Sequence, residues 1–193
     1  MRKTGIAFMI TGAVCIIAAL ALLLYNNAES KRAHDASEIL IESIRTVIAE
    51  NQDIPVDPFD DEMTVREIDG YGYIGYLTVP ALELELPVMS EWDYTRLKLA
   101  PCRYFGSTKT DNLVIAAHNY KYHFGYLGHL TEGDIVIFTD MDSKVYNYRV
   151  NSVELLEATD VDKVKNTGDD LILYTCNYSG SMRVTVRCSY IKA

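Results

Sequence analysis

Three hydropathy regimes follow one another along the chain. From Thr4 to Ala28 no residue is charged, and Gly5 to Tyr25 is almost wholly apolar. A helix of that run spans roughly 30 Å, the thickness of a bilayer's hydrocarbon core. Ala33 to Asn51 then reads as an amphipathic helix: Leu40, Ile44, Val47 and Ile48 fall on one stripe, with Glu42, Arg45 and Glu50 off it. Asn51 to Gly70 holds two prolines and the acidic run Asp60-Asp61-Glu62, which predicts an exposed loop. Beyond Gly70 the period changes to two. Strands are predicted at Tyr73–Val79, Leu82–Leu86, Leu113–Ala117, Ile135–Phe138, Val145–Val150, Val153–Leu156, Leu171–Thr175 and Arg183–Tyr190. A short helix fits Trp92–Leu99 ahead of Pro101, and Thr139–Lys144 fits a hairpin turn. About eight short strands with little helix between them predict an all-β fold, a closed or nearly closed barrel. The expected organisation is a cytoplasmic tip and membrane segment (1–28), a linker helix and loop (29–70) and a β-barrel domain (71–193).

The apolar run exceeds the roughly 7–15 residues of a cleaved signal's core, which favours an uncleaved anchor. Arg2 and Lys3 ahead of it favour a cytoplasmic N-terminus and a domain outside the cell. Lys31 and Arg32 beyond it pull the other way, with Glu29 beside them. With 49 % of residues apolar and 23 % charged, wholesale disorder is excluded. A net charge of −9 argues against a nucleic-acid partner, which calls for a basic face. Four cysteines without a C-x-x-C pair make neither a disulfide scaffold nor a zinc knuckle.

Three residues invite chemistry. Cys176 ends the apolar strand Leu171–Thr175 and begins a short loop, so its thiol stands at a rim on a backbone held by its neighbours. A thiol is only a few per cent ionised at neutral pH, and it needs a base or cation nearby to act as a nucleophile. If the strands on either side of that loop form a hairpin, Arg183 lies nearly opposite Cys176, and Arg187 stands roughly 13 Å further along as the reserve. A guanidinium stays charged and holds a carbonyl or an oxyanion. His118 ends the strand Leu113–Ala117, beside the small Ala116 and Ala117, and imidazole is the natural acid and base for a thiol. Each residue also has a plain structural reading, as a buried thiol, a loop histidine and a surface arginine.

Taken together, the motifs resemble those of the sortases of Gram-positive bacteria. Ala116-Ala-His118, Leu173-Tyr-Thr-Cys176 and Arg183-Val-Thr-Val occur in the family's order, and the likeness runs over about residues 73–190. Ile74-Gly-Tyr-Leu-Thr-Val-Pro80, Leu86-Pro-Val88, the Gly133-Asp134 turn and the strand through Tyr146–Val150 also resemble the family's pattern. Ala117 stands where the family often has glycine. His118-Asn119 is similar to class B, and the opening strands to classes A, D or E, so the subclass stays open. The resemblance implies a membrane-anchored cysteine transpeptidase without a cofactor or metal. Cys176 would attack a carbonyl in a C-terminal LPxTG-like sorting signal and form a thioester. His118 would serve as acid and base, and Arg183 would hold the peptide and the oxyanion. The implied partners are surface proteins bearing the signal and an amine of a cell-wall precursor or a pilin lysine. The alternatives are a cysteine protease that uses water as acceptor and a catalytically silent surface-binding domain.

The other candidates carry less. Cys102 and Cys188 are read as two free, partly buried thiols, with a disulfide between them as the alternative, and Cys15 as inert inside the span. His123 and His129 read as loop residues flanking the site, without metal-binding spacing. Tyr120, Tyr122, Phe124 and Tyr126 wall a groove or pack beneath their loop, and Asp140 and Asp142 read as a solvated turn too loose for calcium.

Overall fold

The computed structural model describes residues 2–50, 62–165 and 167–192. Both expected helical segments run as one helix, α1 (Arg2–Glu50), because no glycine or proline interrupts Asn26–Arg32. The expected end at Asn51 and the acidic run at 60–61 lie outside the described residues. The first half of α1 is long and apolar enough to cross a membrane, and its large side chains, Phe8 and Leu24 among them, stand exposed. The second half buries a stripe of Ser30, Ala33, Ser37, Ile41, Ile44 and Ile48, spaced three and four residues apart. The stripe begins with small residues at Ser30, so it extends ten residues nearer the span than the expected Leu40–Ile48 face. Its apolar part packs on Tyr73, Met89, Ala100, Cys102 and Ala116, and Arg45 pairs with Glu85 at 2.6 Å.

Nine strands follow: β1 (Arg66–Ile68), β2 (Tyr71–Val79), β3 (Leu84–Met89), β4 (Cys102–Phe105), β5 (Leu113–Ala116), β6 (Ile135–Asp140), β7 (Val145–Glu157), β8 (Leu171–Cys176) and β9 (Met182–Tyr190). Eight of them close a barrel in the order β2-β3-β4-β5-β8-β9-β7-β6, sealed by β6 returning to β2. The remaining one, β1, corrects the expected loop through Gly70. It pairs with β2 across Asp69-Gly70, both at positive φ, which suits a two-residue hairpin turn.

Three further differences have local causes. The expected strands Val145–Val150 and Val153–Leu156 are one, β7, whose register against β9 shifts between Val150 and Ser152. Such a bulge inverts the inside–outside alternation and makes one strand read as two. The expected helix Trp92–Leu99 shrinks to a 3₁₀ turn at Arg96–Lys98, where the Asp93 carboxylate accepts hydrogen bonds from the backbone of Thr95 and Arg96 at 2.6 and 2.8 Å. β4 escapes the period-two rule because three of its four residues are only half-covered. The barrel interior holds Ile74, Leu77, Phe138, Leu173, Val186 and Cys188, among others.

Candidate active site

The parallel pair β5–β8 and the antiparallel pair β8–β9 form one three-stranded platform. Ala116, Tyr174 and Thr185 lie abreast in it, as do Ile115, Leu173 and Val186 one step back. Alternation then sorts the residues: Ile115, Leu173, Val186, Ala117 and Val184 belong to the barrel core, while Ala116 and Tyr174 face the outer cluster beneath α1. Two residues beyond Tyr174, the register sets Cys176 opposite Arg183. Pairing also continues past the end of β5. The Ala117 amide donates to the Tyr174 carbonyl at 3.2 Å, and the Thr175 hydroxyl donates to the Ala117 carbonyl at 2.8 Å. His118 follows two residues past Ala116 on the outer-facing side of the alternation, as Cys176 lies two residues past Tyr174 in the neighbouring strand. The Asn119 amide donates to the Asn177 carbonyl at 3.1 Å and ties the two loops together.

The loop between Cys176 and Arg183 is held from within. Asn177 and Met182 exchange hydrogen bonds through backbone and side chain, and Arg183 Nη1 donates to the carbonyls of Gly180 and Met182 at 3.1 and 3.2 Å. Arg183 makes no ion pair among the described residues. Arg187 differs. It spans Glu154 and Asp169, donating to the latter at 2.6 Å, and donates to the Lys163 carbonyl at 2.7 Å. The reserve arginine is thus committed to structure, whereas Arg183, paired with Cys176 across the hairpin, has no carboxylate partner among the described residues.

Two clefts flank this row. One, of about 190 Å³, is walled by Arg183, Tyr174, Tyr104, Trp92, Leu156 and Val164. The other, of about 220 Å³, holds Cys176 with Asn119, His129, Tyr178 and Val184. His129 therefore lines the site, as expected. The aromatic loop divides its roles: Phe124 is core, and the Tyr122 ring stacks on His34 of α1 at 4.3 Å.

Burial holds the His118 imidazole below the ordinary histidine range, and the Lys98 ammonium pushes it the same way. The His118 imidazole should therefore stay neutral to a pH below about 6.5, the ordinary imidazole value. Lys98→Gln removes a repelling charge, so the His118 titration midpoint, followed by NMR, should move up relative to the unsubstituted protein.

His123 was expected as a loop residue flanking the site. Instead it is wholly buried, against Tyr120, whose ring stacks on His118 at 4.9 Å. Neither ring nitrogen of His123 has a hydrogen-bond partner, and burial, with His118 and His34 nearby, pushes its pKa down to about 4. Between pH 6.5 and 4 the unfolded chain binds a proton here that the native state refuses. Stability must therefore fall as pH falls through that window, by on the order of 3 kcal/mol. His123→Phe should remove that loss and raise Tm at pH 5, as measured by thermal unfolding of both proteins across the window.

The remaining cysteines and acids are structural. Cys102 and Cys188 are free and buried in separate clusters, and burial pushes both thiols up to about 12. Asp140 is not part of a solvated turn: it is buried, and it accepts hydrogen bonds from the Asp142 and Lys144 amides and the Tyr146 hydroxyl. Among the described residues no group of three or more His, Cys, Asp or Glu is arranged to hold a metal.

A model of the Sortase domain family matches residues 77–191, a stretch that includes the whole platform. The chain belongs to the sortase family, a family of cysteine transpeptidases. Solved sortases share its fold. Sortase C of Streptococcus pneumoniae superposes with a TM-score of 0.57 at 22 % identity, covering 86 % of this chain and 90 % of that one. The Clostridium perfringens sortase D5 transpeptidase gives 0.64 at 16 % identity, covering 82 % and 99 %. Sortase A of Corynebacterium diphtheriae gives 0.58 at 16 % identity, covering 91 % and 96 %. Three classes thus appear at similar distance, and the subclass of this sortase stays open. Among curated protein sequences, none matches the chain.

Proposed function

We propose that the protein is a membrane-anchored sortase that cleaves a C-terminal LPxTG-like sorting signal and passes the acyl group to an amine of a cell-wall precursor or a pilin lysine. What supports this reading is the strand register, which pairs Cys176 with Arg183 across the β8–β9 hairpin and ends β5, two residues before His118, beside Tyr174.

In the acylation step Cys176 Sγ attacks the scissile carbonyl carbon while its proton passes to the His118 imidazole. Charge builds on the carbonyl oxygen, where the Arg183 guanidinium, positive at every working pH, stabilises it. As the tetrahedral adduct collapses, the C–N bond breaks and the leaving amine takes the proton back from His118. The product is a thioester, which an amine then resolves. The aromatic cleft behind Arg183, with Tyr104, Trp92 and Tyr174, suits the apolar residues of the signal and leaves its scissile bond over the thiol.

The apolar half of α1 is the anchor in this reading. Arg2 and Lys3 support a cytoplasmic N-terminus and a catalytic barrel outside the cell. Cys176→Ala should abolish cleavage of a sorting-signal peptide and remove the acyl-enzyme mass seen in the unsubstituted protein. Cleavage surviving in that variant would refute the assignment.

A further inference from the structure

The barrel wall parts between β3 and β4. These strands pair through the single register position Met89–Cys102, whereas β4 and β5 pair from Cys102 to Phe105. Beyond Met89 the chain stays with β2, the Ser90 amide donating to the Gly72 carbonyl at 2.8 Å. The backbone edge of Tyr104 and Phe105 that faces away from β5 thus has no strand beside it among the described residues, and it forms no backbone hydrogen bond elsewhere. A groove of about 530 Å³ occupies the parting, with Ser90, Glu91 and Trp92 on one wall and Arg103 to Ser107 on the other. Arg103 Nε donates to the Ser90 carbonyl at 3.0 Å and fastens the two walls together.

The groove is continuous with the cleft at Arg183. Trp92 and Tyr104, whose rings meet edge-on at 5.6 Å, line both spaces. Tyr104 in turn packs on Tyr174 at 5.3 Å, two residues before Cys176 on β8. The Arg183 cleft therefore lies between the thiol-bearing hairpin and the open edge of β4. This order gives a bound substrate its direction. The carbonyl that Cys176 attacks ends the part of the substrate that the enzyme retains, so residues further from the thiol lie nearer the substrate's N-terminus. With the sorting motif in the Arg183 cleft, the residues ahead of it arrive at β4.

Resting on the transpeptidase reading above, we infer that the open edge of β4 takes the segment preceding the sorting motif as an added strand, so that the enzyme binds substrate main chain upstream of the signal itself. An unpaired strand edge is a template for an extended chain, whose amides and carbonyls complete the ladder. Pairing of this kind draws its affinity from the backbone and asks little of the side chains. The walls fit that mode: Ser90, Ser107 and Thr110 offer hydroxyls, and the charges of Arg103 and Glu91 oppose one another. The sorting motif then supplies the sequence selection in the Arg183 cleft, and the upstream strand supplies added affinity and holds the chain extended.

The test uses the full chain in phospholipid nanodiscs and the sorting-signal peptide that it cleaves, with and without a six-residue serine–threonine extension ahead of the motif. The extended peptide should show a KM about tenfold lower at nearly the same kcat, as one or two added hydrogen bonds would give. N-methylation along the extension removes its amide donors and should abolish the gain. Thr110→Trp, which fills the groove from an exposed position, should also abolish it while the short peptide is cleaved as before. Equal KM for the short and extended peptides overturns the inference, and so does a gain that survives N-methylation or Thr110→Trp. The N-methyl comparison needs only the unsubstituted protein, so it holds whether or not the variant folds. Failure of the transpeptidase reading looks different: cleavage of both peptides then persists in Cys176→Ala.

Discussion

Arg183→Ala should lower kcat/KM for sorting-signal cleavage by about 10²–10³-fold, the usual cost of removing a donor aimed at a developing oxyanion. Its unfolding midpoint should barely move, because in the free enzyme the guanidinium bonds only to two carbonyls of its own loop. Arg187→Ala should do the reverse. Arg187 is largely buried and bridges Glu154 on β7 to Asp169 ahead of β8. Its removal strands two carboxylates and should cost roughly 2–4 kcal/mol of stability. The molecules that remain folded should cleave the peptide at close to the normal rate. Urea melts and steady-state kinetics on the two variants make the comparison, and equal activity losses in both would remove Arg183 from its role. Lysine at 183 should recover little, since a point charge cannot reproduce the planar fork beside the thiol.

Gly75→Ala should unfold or severely destabilise the barrel, by at least about 3 kcal/mol. Gly75 lies in β2 where that strand leaves its bulge and meets β6, opposite Asp140, and its φ is +141°. A Cβ at this position would stand 2.0 Å from the Thr139 carbonyl oxygen and 2.9 Å from the Asp140 Cα, both backbone atoms that cannot swing aside. The β2–β6 pairing is the seam that turns an open sheet into a ring, so the strain falls where closure happens. Far-UV circular dichroism and thermal melts of the variant provide the check. A melting temperature within a few degrees of the unsubstituted protein would show that the seam is more pliable than this geometry allows.

Much of the platform can be read locally. Alternation in Leu171–Cys176 and Arg183–Tyr190, with a short polar loop between them, is enough to place Arg183 across from Cys176, because a hairpin's register follows from its loop. The same logic reaches neither β4 nor β1. β4 is short and half-covered, and β1 is a three-residue strand whose Asp69-Gly70 turn sits at the edge of an acidic, proline-bearing stretch. The buried state of His123 was also hidden, since nothing adjacent to it distinguishes a histidine beneath a loop from one on its surface. Its unpaired nitrogens emerge only when Tyr120, His118 and the helix are brought around it.

Residue order alone determined the apolar helix, the succession of short strands and the outward face that carries Cys176 and Arg183. These follow from side-chain period and turn chemistry, which act over a few residues. Tertiary structure alone decided that β5 lies parallel to β8 with Ala116 beside Tyr174, that β6 closes on β2, and that Arg187 is spent on Glu154 and Asp169. It also decided that His34 of α1 stacks on Tyr122 in the loop after β5. Each of these depends on pairing segments far apart in the chain, where the choice among partners is made by burial of the whole core and by no local pattern.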